Sequence, residues 1–100
     1  MPPTLRPGGH VPSYLVEVYL SRPRTHDARA LGERVRAAAR ELARDGVAVR
    51  YVRTTCLPDD ETCFHLVEAA SPADVEEVCR RARLAGARIV QAIEASRTRR

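Results

Sequence analysis

The sequence predicts a single α+β domain in which strands and helices follow the order βαββαβ. Apolar residues alternate along four short segments and recur at helical spacing along two longer ones. The chain also divides into two nearly equal halves, each carrying one helix between two strands. With 100 residues, of which 44% are hydrophobic and 4% aromatic, it can bury one aliphatic core between two layers.

The first half predicts a strand and a helix. Residues 14 to 20, YLVEVYL, are rich in β-branched and aromatic residues and alternate in polarity, which is typical of a strand. From residue 27 to about 44, Leu31, Val35 and other apolar residues recur on one helical face. Gly46 follows and is the expected end signal for this helix.

The middle of the chain predicts a β-hairpin. Residues 47 to 56 and 62 to 69 are the two strands, and the LPDDE sequence between them is the turn. If Asp59 and Asp60 form a two-residue turn, positions 56 and 63 lie directly opposite each other, whereas a shift of one residue would turn Cys56 to the other face.

The end of the chain predicts a second helix and a last strand. Ser71, with Pro72 at the first helical position and Asp74 three residues on, has the pattern of a capping box. We expect the helix to stop at Gly86 and a final strand to cover residues 88 to 94.

This order is the split βαβ, ferredoxin-like arrangement: a four-stranded antiparallel sheet with two helices on one face. The other face would carry Leu15, Tyr19 and further semi-apolar residues, a patch that monomers seldom leave exposed. We therefore expect a homodimer through the uncovered sheet face, an assembly of the α/β-barrel type.

Charge and composition bound the remaining partners. We expect residues 1 to 12, which are rich in Pro and Gly, to be a flexible leader, residues 13 to 95 to be the folded domain, and residues 96 to 100 to be a basic tail. Without Arg6 and the three tail arginines, 13 basic residues oppose 13 acidic ones, so the folded domain is close to neutral and nucleic-acid binding is not favoured. No apolar run reaches the roughly 18 residues of a membrane helix, and no signal peptide is recognisable, so we expect a cytoplasmic protein without membrane contact.

The three cysteines admit more than one interpretation. Because a cytoplasm keeps thiols reduced, they are expected to be free or metal-bound thiols. Cys56 and Cys63, if directly opposed, could close a cross-strand disulfide under oxidation. Cys79 has the pattern of a small buried residue.

Strand alternation also predicts a group of possible metal ligands. We expect the apolar residues of both strands to face the helices, namely Val16, Val18, Phe64 and Leu66. The uncovered face would then carry Glu17, Tyr19, Cys63 and His65. Oxygen, nitrogen and sulfur donors suit Ni(II), Cu(II) or Zn(II), and a second copy could complete the coordination. The alternative is that Glu17 pairs with an arginine, Arg53 or Arg88, while Cys63 and His65 only line the dimer interface.

Three segments resemble a known family: YLVEVY at 14 to 19, VRYVRTTCLPDDETCFHLVEAASPADVEEVCRRA at 49 to 82, and GARIVQAIE at 86 to 94. They are similar to a family of small bacterial ferredoxin-like proteins, long a domain of unknown function, that includes nickel-binding members. The resemblance implies the same fold and a bound divalent metal, most simply nickel. Ala70 stands where the family has proline, and His65 stands where it has cysteine.

No catalytic residue is predicted. A cysteine near His65 could act as a nucleophile with its base, but no glycine-rich turn that would stabilise an oxyanion and no phosphate loop accompanies them. The second hypothesis is a dimeric binding module, or a monooxygenase-like protein, that holds a small organic ligand between its two sheets.

Overall fold

The structure, a computed structural model, describes residues 11–93 and residue 95. Most of the predicted leader and the whole predicted tail lie outside these residues. The predicted order of four strands and two α-helices is confirmed. The elements are β1 (Ser13–Tyr19), α1 (Ala28–Arg44), β2 (Val49–Leu57), β3 (Thr62–Ala69), α2 (Pro72–Ala82) and β4 (Arg88–Ala92).

The four strands form one antiparallel sheet in the order β2-β3-β1-β4. Strands β1 and β3 are therefore central, and β2 and β4 are the edges. This order is consistent with the ferredoxin-like arrangement that the sequence predicts. No helix among the described residues is both long enough and apolar enough to cross a membrane.

Both helices pack on the same side of the sheet, which we call the helix face. Val16 and Val18 of β1 are buried there together with Val35 of α1 and with Val75 and Val78 of α2. Aliphatic residues make up most of this core, as the composition predicts. No helix among residues 11–93 covers the opposite side of the sheet, which we call the open face.

The ends of α2 follow from its local sequence. The side chain of Ser71 accepts a hydrogen bond from the backbone N–H of Asp74 at 3.3 Å, which confirms the predicted cap. The helix does not continue to Gly86, so the predicted stop was wrong. It ends at Ala82 because Arg83 adopts the left-handed conformation at φ 60°, and the Arg83 N–H donates to the Arg80 carbonyl.

The hairpin between β2 and β3 closes through residues 58 to 61 rather than a two-residue turn. A short 3-10 turn covers Pro58–Asp60, and Glu61 follows in the left-handed region at φ 51°. The backbone N–H of Arg22 donates to Glu61 Oε2 at 2.7 Å, and the Arg22 side chain pairs with Asp59. The hairpin tip is thus held against the segment that precedes α1.

Candidate functional site

The central strands place Glu17 and His65 on opposite sides of the sheet. In the β1–β3 pairing, Val16 lies opposite His65 and Glu17 lies opposite Phe64. Directly opposed residues of antiparallel strands share a face. Because Val16 belongs to the buried core, His65 lies on the helix face and Glu17 on the open face. The prediction that Glu17 and His65 lie on the same face of the sheet was wrong.

The four predicted ligands are consequently not brought together. Tyr19 and Glu17 lie on the open face, whereas Cys63 and His65 lie under the helices. Glu17 Oε1 is 3.2 Å from Arg88 Nη1, which is the ion pair that the alternative interpretation described. Cys63 is bonded to Cys56. Within residues 11–93 and 95, no cluster of three or more histidine, cysteine or acidic residues is placed to hold a metal ion.

His65 is instead the buried end of a hydrogen-bonded chain of side chains that also contains the partly buried Thr54 and Tyr51. The ring is fully buried, and its Nδ1 shares a hydrogen bond of 2.7 Å with Thr54 Oγ1. Thr54 Oγ1 shares a second one, of 2.6 Å, with the Tyr51 hydroxyl. His65 Nε2 is buried and has no hydrogen-bond partner among the described residues. Burial lowers the pKa of His65 from 6.5 to about 4, so the ring is neutral at pH 7.

Gly32 allows α1 to pack closely over this chain. A Cβ atom at position 32 would lie 2.9 Å from Thr54 Oγ1 and 3.3 Å from the Tyr51 hydroxyl oxygen. The first distance is shorter than a side-chain carbon tolerates, so a larger residue would push the helix away from the sheet. The backbone of α1 at Gly32 therefore lies directly against the Thr54 and Tyr51 hydroxyls.

Cys56 and Cys63 lie directly opposite each other and form a disulfide. The prediction of reduced thiols rested on the expected compartment, and the structure has the oxidised alternative. The bond lies next to the Thr54–His65 pair, two residues along each strand. The two residues differ in burial, since Cys63 is fully buried and Cys56 is partly buried.

The open face has an apolar centre and charged corners. Leu66 is buried even without a helix above it, whereas Tyr19 is 69% exposed and Val90 39% exposed. At the corners, Arg88 pairs with Glu17 and Arg50 pairs with Glu68 at 2.9 Å. By pairing register, the open face consists of Ser13, Leu15, Glu17, Tyr19, Arg50, Arg53, Thr55, Leu57, Thr62, Phe64, Leu66, Glu68, Arg88, Val90 and Ala92.

A shallow cleft of about 610 Å³ lies between the C-terminal ends of the two helices. The Arg81 guanidinium donates at 2.9 Å to Glu41 in α1 and to Asp45, which directly follows α1. It also donates at 2.7 Å to Glu77 in α2. Hydrogen bonds from Arg80 and Arg81 lower the pKa of Glu77 to about 2. Each of these carboxylates is paired with an arginine. The ion pairs of Arg81 therefore hold the ends of α1 and α2 together.

The hydrogen-bonded side chains of Tyr51, Thr54 and His65 are the feature that the sequence analysis did not predict. A signal for it was present, because once Cys56 is set opposite Cys63, Thr54 falls opposite His65. The contribution of Tyr51 could not be found in this way. The ladder shifts between Tyr51 and Arg53, and this irregularity brings the Tyr51 hydroxyl within reach of Thr54.

No protein-family model, no curated protein and no solved structure matches this chain. The likeness to nickel-binding ferredoxin-like proteins therefore depends on the short motifs alone.

Proposed function

We propose that this protein is a homodimeric binding module of the α/β-barrel type, in which two copies meet through their open faces. The observation that carries the proposal is the apolar centre of a sheet face that no helix in the described part of the chain covers. The occupant is a second copy of the same chain.

The apolar centre supports an association driven by burial. Leu15, Phe64 and Leu66 are neighbours across the two central strands, and Val90 extends the same row onto β4. A continuous apolar row on a sheet surface gains free energy when a second surface removes it from water.

The charged corners support a self-complementary contact. Each corner contains both signs, Arg88 with Glu17 on one side and Arg50 with Glu68 on the other. Two copies related by a twofold axis present the same surface to each other, so a face of a single sign would repel itself. The mixed corners avoid this repulsion.

The size of the face sets the expected strength. With strands about 4.8 Å apart and a rise of about 3.3 Å per residue, four strands of this length cover roughly 450 Å² per copy. Two copies then bury on the order of 1,000 Å² once side-chain relief is included, near the lower limit of specific interfaces. We expect a dissociation constant in the micromolar range.

Sedimentation analysis of the full chain over a wide dilution series tests the proposal. The wild type should approach twice the chain mass of 11.1 kDa as concentration rises. Val90→Asp places a charge in the apolar row of the contact and should give monomer throughout. Ile93→Asp is the matched control, because Ile93 is 86% exposed and lies outside the strands, so it should behave like the wild type.

A wild type that stays monomeric at every concentration, or a Val90→Asp variant that still dimerises, would contradict the proposal. Native mass spectrometry of the same sample separates a bare dimer from one that retains an organic molecule or a metal ion between its sheets. Nickel binding stays a prediction of the family resemblance, since the described residues of one chain do not assemble Glu17, Tyr19, Cys63 and His65 around one point.

A further inference from the structure

We propose that Cys56 and Cys63 form a thiol–disulfide exchange site for low-molecular-weight thiols, and that Cys56 carries the sulfur that such a thiol attacks. The site lies on the helix face of the hairpin and does not depend on the dimer. The sequence admitted a disulfide between these two cysteines, and the proposal adds the reagent that exchanges with it and the sulfur that is attacked.

The position of the two cysteines in the sheet distinguishes their sulfur atoms. Cys63 lies on β3, between Cys56 on one side and Val18 on the other, and it is fully buried. Cys56 lies on β2, an edge strand with a neighbour on one side only, and it is partly buried. A thiol that approaches from solvent therefore reaches Cys56 first, because Cys63 is screened by both neighbouring strands.

The first step breaks the protein disulfide. The thiolate of the small molecule attacks Cys56 Sγ and forms a mixed disulfide, and the electron pair of the broken bond leaves on Cys63 Sγ. The Cys63 thiolate that leaves then takes up a proton from solvent.

The second step releases the oxidised product. A second thiolate attacks the sulfur of the small molecule in the mixed disulfide, and the electron pair leaves on Cys56 Sγ, which is then protonated. Two small thiols become one small disulfide, and the protein disulfide becomes two thiols. In the reverse direction, a small disulfide reoxidises the pair.

The third cysteine does not compete for the reagent. Cys79 lies on the core-facing side of α2, where it is buried, and it is a free thiol in the described structure. Burial raises its pKa to about 11, so the reactive thiolate form is scarce near neutral pH. Exchange should therefore be confined to the hairpin.

The first experiment uses the wild-type chain. The oxidised protein is incubated with reduced glutathione without denaturant, thiols are then blocked, and the number of blocked thiols is read by mass spectrometry. We expect blocking of Cys56 and Cys63 while circular dichroism shows the fold retained. Reduction only in denaturant, or a purified protein that never forms the bond under glutathione disulfide, would overturn the proposal.

The second experiment tests which sulfur is attacked. Cys63→Ser leaves Cys56 as the reactive thiol, and Cys56→Ser leaves Cys63; each is mixed with glutathione disulfide and the mixed disulfide is timed by mass spectrometry. We expect the adduct on Cys56 to form at least about tenfold faster than the adduct on Cys63, because access controls the reaction. Equal rates, or a faster Cys63, would overturn the assignment. If either variant unfolds, mapping the mixed disulfide trapped in the wild type gives the same answer.

Discussion

At the scale of single residues, His65 shows how one buried side chain makes stability depend on pH. Its neutral ring fits a site where Thr54 is its hydrogen-bond partner and water is excluded. The imidazolium form would lose its hydration without gaining a carboxylate in return. Its pKa of about 4 in the folded protein is well below 6.5, so the unfolded chain takes up the proton first as pH falls.

We expect the free energy of unfolding to be insensitive to this group above pH 6.5 and to decrease as pH falls from 6.5 towards 4, by about 3 kcal/mol in total. Urea unfolding at a series of pH values measures the slope. His65→Leu should flatten it, and this substitution leaves the Thr54 hydroxyl paired with Tyr51.

The pH window identifies the group responsible. Glu77 has its pKa lowered to about 2 from 4.5, so its contribution is lost only as pH falls below 4.5. The control variant His26→Gln removes an exposed histidine and should keep the slope of the wild type between pH 6.5 and 4.5. If His65→Leu keeps that slope as well, His65 is not the group that titrates.

At the scale of elements, a side chain of α1 caps the C-terminus of α2. Arg34 of α1 donates from Nε and Nη2 to the Ala82 carbonyl, at 3.0 and 2.6 Å, and from Nη2 to the Arg83 carbonyl at 2.8 Å. The last carbonyls of a helix lack partners within the helix and carry its negative dipole end. A guanidinium from α1 satisfies both needs at the end of α2.

We expect Arg34→Met to lower the free energy of unfolding by about 1 kcal/mol, since the aliphatic part of the side chain is kept and the charged hydrogen bonds are lost. Arg36→Met is the matched control on the same helix. Arg36 reaches only Glu33, at 3.5 Å, and an exposed pair of this kind contributes about 0.5 kcal/mol or less. Equal losses in urea unfolding of the two variants would show that the cap has no specific effect.

The same scale explains what the sequence could and could not predict. Apolar periodicity specified the four strands and two helices because each must bury one side. It did not specify which side of β3 is buried, because a shift of one residue turns every side chain over. Phe64 and Leu66 suggested that their side faces the helices, yet Cys63, His65 and Val67 occupy it.

The predicted ligand set failed for a related reason. His65 is a polar residue between the apolar Phe64 and Leu66, so the alternation of the strand predicted that it faces away from the helices. The partner that makes its burial tolerable, Thr54, comes from the neighbouring strand and is identified only when the hairpin register is known. Sequence patterns treat each strand alone, whereas the sheet satisfies polar atoms between strands.

At the scale of the whole molecule, one face of the sheet builds the core, and the other face has no helix over it among the residues that the structure describes. On the helix face, apolar side chains are buried under the helices, and the Tyr51 and Thr54 hydroxyls are hydrogen-bonded to each other. The open face also has apolar side chains at its centre, namely Leu15, Phe64 and Leu66. If a second copy covers this face, folding and association are one linked equilibrium, and stability depends on protein concentration.

We therefore expect the urea midpoint of the wild type to rise with chain concentration, because mass action favours the folded dimer. Each tenfold increase should add up to about 1.4 kcal/mol per dimer in the range where dimer predominates. Val90→Asp should unfold at one midpoint whatever its concentration, whereas Ile93→Asp should follow the wild type. Identical wild-type midpoints across the series would mean that the open face gains no free energy from a second copy, and the uncovered apolar row would then need another partner.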